Sequence, residues 1–188
     1  MKDIELEEKM DTIKQIGRVS QFPFNKEKIK ELLHYIISQC GHNPNVGKTV
    51  LYKLLYFSDF DYYELTEEPL TGESYLKKSM GPAPTHFKEI IAELVQERKV
   101  WVMESEYAGY RQIKYLSIQA PKISLLSGKE LQVVNNVIGK CAHMTATQIS
   151  AYSHKDMPYK ATGDGQLIDY ELVFYREPIT SVREYPND

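Results

Sequence analysis

Between residues 46 and 64 apolar side chains almost encircle a helical period. Val50, Leu54 and Phe57 fall on one face and Leu51, Leu55 and Tyr62 on another. A helix written this way cannot lie on a surface, so the pattern predicts a central helix with the other elements arranged around it. Before it, Phe22-Pro23-Phe24 breaks the chain and Asn25 supplies a cap. Ile29, Leu32, Leu33, Ile36 and Ile37 then repeat at helical spacing up to Gly41, which reads as a C-terminal stop.

After the central helix, Glu68-Pro69-Leu70-Thr71-Gly72 is turn chemistry, and residues 74–79 suit a short strand. Pro84 fits the first turn of a helix over 85–98, where its missing N–H costs little. Residues 100–104 and 110–118 flank Ala108-Gly109 and predict a hairpin. Ser127 with Glu130 forms a capping box ahead of Leu131, Val134, Val137 and Ile138. A short helix follows Thr145 and Thr147, then a loop over 155–165, and a last helix near 169–176. Residues 4–16 hold only sparse apolar side chains among charges, a weak amphipathic helix. The expected fold is α+β and mainly helical, a compact single domain with a small β-hairpin or short sheet and an N-terminal helical extension. Its stretches are 1–24 as the extension, 25–178 as the domain and 179–188 as a C-terminal tail.

Composition narrows the function classes. The 188 residues suffice for one core, and a formal charge of −3 gives no default grip on a polyanion. No apolar run approaches the ~20 residues of a membrane span, and the charged start lacks the apolar core of a signal peptide. Cys40 and Cys141 read as two reduced thiols in a cytoplasmic protein. Fourteen tyrosines are an unusual supply of rigid, amphipathic contact area.

Two motifs mislead. Residues 41–49 resemble a phosphate-binding loop, but five residues separate Gly41 from Gly47-Lys48 where that loop has four, and a helix rather than a strand precedes them. The five histidines never pair at metal-ligand spacing, and serine-nucleophile signatures are absent. Catalytic residues, a metal site and a cofactor are therefore not expected, and the chain does not read as an enzyme. Helices followed by a hairpin also suggest a winged helix. Yet the 46–64 helix shows Tyr, Leu and Phe in place of base-reading side chains, and Asp59, Asp61 and Glu64 would face phosphate. Lys26, Lys28 and Lys30 read as the solvated face of their helix, so nucleic acid is not the favoured partner.

Several motifs in order point elsewhere: Lys53-Leu54-Leu55-Tyr56-Phe57, Pro69-Leu70, Met80-Gly81-Pro82, His154-x-x-x-Pro158-Tyr159, and Gly165-x-x-Ile168. Over residues 26–175 the chain resembles the Panacea-domain, or SocA-like, antitoxins of bacterial and phage toxin–antitoxin systems. It departs from them where Leu76-Lys77-Lys78-Ser79 stands in a strand that often carries an aromatic residue. The resemblance implies a compact helical antidote, a role in phage defence, and a cognate protein toxin from the same operon bound in a hetero-oligomer. Such antitoxins share a fold yet neutralise unrelated toxins by direct binding. Some of those toxins are alarmone-synthetase-like enzymes acting on tRNA; others attack translation or membranes. One branch acts instead as a proteolytic adaptor, and a DNA-binding regulator of its own operon is a further alternative.

An interface of this kind draws its affinity from a few aromatic or arginine anchors. The candidates are Tyr62, Tyr63, Tyr107 and Tyr110, the loop residues His154, Pro158 and Tyr159, and Ile4, Met10 and Ile13 of the extension. The extension's Asp3, Glu5, Glu7 and Glu8 would suit a toxin with a basic cleft.

Overall fold

The computed structural model describes residues 22–184, so the expected helix over 4–16 and its Ile4, Met10 and Ile13 lie outside the described residues. The fold is α+β and mainly helical. Helix α1 (Lys26–Cys40) starts where Asn25 Oδ1 accepts the Lys28 amide at 3.0 Å. It buries Ile29, Leu32, Leu33, Ile36 and Ile37. Gly41 ends it, though not through a left-handed cap: its φ of −59° is helical. Glycine is needed because a Cβ would meet the Tyr115 carbonyl oxygen at 2.4 Å and that of Ile37 at 2.6 Å.

Helix α2 (Lys48–Thr66) is the central element, packed against α1 and against five of the elements that follow it. Its buried residues include Val50, Leu51, Leu54, Leu55, Tyr56, Phe57 and Phe60, and also Lys53, Asp59, Asp61 and Glu64. It ends at Glu67, which takes the left-handed conformation with φ 60°.

Two small antiparallel sheets follow in place of one. The strands β1 (Tyr75–Lys78) and β2 (Gly81–Pro84) pair with Lys78 opposite Gly81. Pro84 thus closes a strand rather than opening a helix, and α3 spans only Phe87–Gln96. The second hairpin, β3 (Val100–Tyr107) and β4 (Tyr110–Ser117), turns at Ala108-Gly109. Both turn residues have positive φ, 51° and 81°, the left-handed geometry that matches hairpin twist.

Helix α4 (Gly128–Cys141) carries the Ser127–Glu130 capping box, and α5 (Ala146–His154) a second one from Thr145 and Gln148. The 155–165 stretch contains a further helix, α6 (Met157–Ala161), started by Pro158 at its first turn. The last helical segment is a 3-10 turn, Tyr170–Tyr175. Both ends of the described chain join the core. Phe22 lies against Tyr63 and Tyr170, while Ser181 and Val182 bind the Glu64 carboxylate.

Candidate interaction surface

Buried charge holds the scaffold. Arg176 follows the 3-10 turn and is pulled inside by three carboxylates. Its Nε and Nη2 donate to Asp156 at 2.8 and 2.9 Å, and its Nη1 donates to Asp61 and Glu64 at 2.8 Å each. Tyr56 also donates to Asp156, at 2.7 Å. Burial pushes the Asp61 carboxyl up to about 6 even against the neighbouring guanidinium. Asp59 accepts from the Thr71 amide at 3.0 Å, the Thr71 hydroxyl and Tyr75 Oη, and burial lifts it to about 7. Asp59, Asp61 and Glu64 therefore lie inside, not on a surface that could meet phosphate. Lys28 and Lys30 are likewise no solvated face: Lys28 pairs with Glu130, and Lys30 with Glu27, Glu93 and Glu97.

The first hairpin is locked into this scaffold by the residues that carry the family resemblance. Lys53 of α2 is 1% exposed, makes no ion pair among the described residues, and is lowered by burial to about 8. Its Cε and the Ser153 hydroxyl close over Gly81, where a Cβ would meet them at 2.6 and 2.4 Å. Gly81 also has a φ of +102°, so the position demands glycine twice over. Tyr159 Oη donates to the Lys78 carbonyl at 2.8 Å, His154 stacks on the Tyr159 ring at 4.7 Å, and the Lys77 ammonium sits 4.6 Å from its centroid.

The outer edge of β1 is covered. Lys77 donates its amide to Gln166 and accepts from Gly165, both at 2.9 Å, and the Ile168 amide reaches Tyr75 at 2.8 Å. The outward-facing amide and carbonyl of Lys77 and the carbonyl of Tyr75 thus have strand-like partners.

The second hairpin differs. Val100 and Tyr115 point into the core, but Trp101, the chain's single tryptophan, is 58% exposed, Met103 43% and Tyr110 78%. Between the hairpin tip and the starts of α2 and α5 lies a cleft of about 830 Å³, lined by Lys48, Thr49, Tyr107, Tyr110, Arg111 and Thr147 among others. Gln112 and Lys114 brace β4 by donating to carbonyls of the α1–α2 loop, the Pro44 carbonyl at 2.6 Å and that of Val46 at 2.8 Å.

The sequence candidates therefore separate. Tyr107 and Tyr110 meet at the hairpin tip as opposed residues. Tyr62, Tyr63, Pro158 and Tyr159 are buried and offer little side-chain area, and His154 is half-buried against Tyr159. Tyr63 donates to Glu171. Trp101 and Met103 are surface features the sequence candidates left out. Their signal is that residues 100–103 are apolar without alternation, which places apolar side chains on both faces of a strand with only one face buried.

Among the described residues no group of three or more His, Cys, Asp or Glu is placed to hold a metal ion. No helix among them is long and apolar enough to cross a membrane. Burial pushes both cysteine thiols up to about 12, unsuited to thiolate chemistry.

Fold and motif placement together define a small, mainly helical α+β scaffold whose signature residues converge on one closed hairpin. The chain belongs to the SocA-like Panacea-domain antitoxins: the family described as "Antitoxin SocA-like, Panacea domain" matches residues 51–160, more than half its length. That span holds most of α2, both hairpins and the His154–Tyr159 contact. Membership supports an antitoxin role in general, with a toxin as partner. No curated protein and no solved structure matches the chain.

Proposed function

We propose that this chain is a non-enzymatic, cytoplasmic antitoxin that neutralises a toxin encoded beside it by binding it directly and covering its active site, as part of phage defence. The observation that carries this reading is the open hairpin. It presents a tryptophan, a methionine and a tyrosine to solvent beside a cleft, on a scaffold braced by buried ion pairs. Aromatic side chains on rigid elements lose little freedom on binding, the composition expected of interface anchors. None of the motif residues behind the family resemblance lies on this hairpin. A shared scaffold with a separate contact surface fits a family that meets unrelated toxins. The segment 1–24, with its acidic start, is proposed as a second contact to the same partner.

The test is co-expression. The adjacent gene alone should arrest growth, and this chain should restore it with the toxin recovered intact in a complex. A harmless neighbour would sink the reading; toxin that disappears only when this chain is present would replace it with the proteolytic-adaptor alternative. Trp101→Ser combined with Tyr110→Ser should abolish rescue while leaving the melting temperature unchanged.

A further inference from the structure

The two hairpins have the same ladder parity, and only one has its edge filled. In β1, closed by a two-residue turn after Lys78, the residues facing away from the partner strand are Tyr75 and Lys77, and both are bonded by the 165–168 segment. In β3, closed by a two-residue turn after Tyr107, the same parity turns Val102, Glu104 and Glu106 outward. The Ile118 amide donates to the Lys99 carbonyl, which places the odd-numbered residues on the inner side as this parity requires. Among the described residues no strand or loop bonds the outer edge of β3.

We propose that the outer edge of β3 is a strand-addition site for an extended segment of the toxin. Along that segment Lys or Arg would alternate with apolar residues. This rests on the antitoxin reading and specifies its contact. Main-chain bonds to Val102, Glu104 and Glu106 supply register, and the side chains supply selectivity. On one face of the edge stand Glu104 and Glu106, both exposed and without an ion pair among the described residues. On the other stand Trp101 and Met103.

Charge selects among occupants. A second copy pairing through residues 104–106 would set Glu104 against Glu104 or Glu106 of its mate, a like-charge contact that opposes pairing. The first eight residues of the chain bring Asp3, Glu5, Glu7 and Glu8, again of the same sign, while Lys9, Lys14 and Arg18 behind them make residues 9–21 the competing occupant that the deletion below tests. A basic strand from a toxin that handles nucleotide or RNA meets neither objection.

Hydrogen exchange on the purified complex of this chain with the adjacent gene's toxic product reads the site directly. The amides of Val102, Glu104 and Glu106 should exchange at least ~10-fold more slowly in the complex than in the free chain, and Trp101 emission should shift to the blue, taken as the difference from Trp101→Phe. Glu104→Pro removes an outward N–H, leaves the β3–β4 ladder its bonds, and should weaken binding ~10-fold or more with unchanged circular dichroism. Glu104→Gln should weaken it less, by ~2- to 5-fold. Rescue with no protection at these amides overturns strand addition while leaving the antitoxin reading in place; loss of rescue by the wild-type chain overturns both. Protection already present in the free chain also overturns the proposal. If deleting residues 1–21 abolishes it, the occupant is the chain's own start; if dilution does, it is a second copy.

Discussion

The two hairpins are built on one plan and treated in opposite ways. Each has a two-residue turn and a single antiparallel partner. The first is enclosed: Gly81 lies under Lys53 and Ser153, Tyr159 holds Lys78, and residues 165–168 cover the edge. The second is anchored at its base by Val100 and Tyr115 and left bare towards its tip. The difference teaches that charged and polar groups are spent inside to fix the scaffold. Apolar groups stand outside on the second hairpin, the reverse of what a purely structural hairpin needs and the surface that the proposed toxin contact would use.

The largest effect should come from the enclosed side. Arg176→Met strands Asp61, Glu64 and Asp156 without their cation and should destabilise by about 3–5 kcal/mol in urea unfolding. A loss below about 1 kcal/mol would mean the ion-pair cluster does not hold the C-terminal segment. Next comes Lys53→Met, which replaces a buried ammonium that has no ion pair among the described residues, only the Tyr52 ring 6.0 Å away, with an apolar chain of similar shape. It should raise stability at pH 7 by about 1–3 kcal/mol. Because burial lowers Lys53 to about 8 against an ordinary 10.5, the unfolded chain binds the extra proton between those values. Wild-type stability should therefore rise relative to Lys53→Met as pH climbs from about 8 to 10.5; a flat difference would argue that Lys53 has a partner in solution.

On the open side stability effects should shrink. Ala108→Asn relieves a non-glycine residue at φ 51° and should stabilise by up to about 1 kcal/mol in thermal unfolding. Trp101→Ser with Tyr110→Ser should move stability by no more than about 0.5 kcal/mol, yet remove toxin neutralisation. If that pair unfolds the protein instead, the contrast between the hairpins fails.

Much of the scaffold was legible in advance. The central helix, the Asn25 cap, the Ser127–Glu130 box and the Ala108-Gly109 turn all depend on neighbours a few residues apart, and each is found. Strand β2 was not legible. Gly81-Pro82-Ala83-Pro84 has no strand propensity and is held by pairing with β1 and contact with α2. Nor was the fate of the tyrosines. Tyr63 and Tyr110 have the same side chain, but one donates to Glu171, 108 residues away, and the other is exposed at the first residue of β4.

The sequence by itself determined the helical frame, the turns and the family, because periodicity, capping and turn chemistry are local and the motif order is written along the chain. The tertiary structure alone decided which charges are buried, which tyrosines face outward and which strand edge is left open. Those outcomes depend on partners such as Arg176 for Asp61 and Gln166 for Lys77, brought together across 115 and 89 residues of chain.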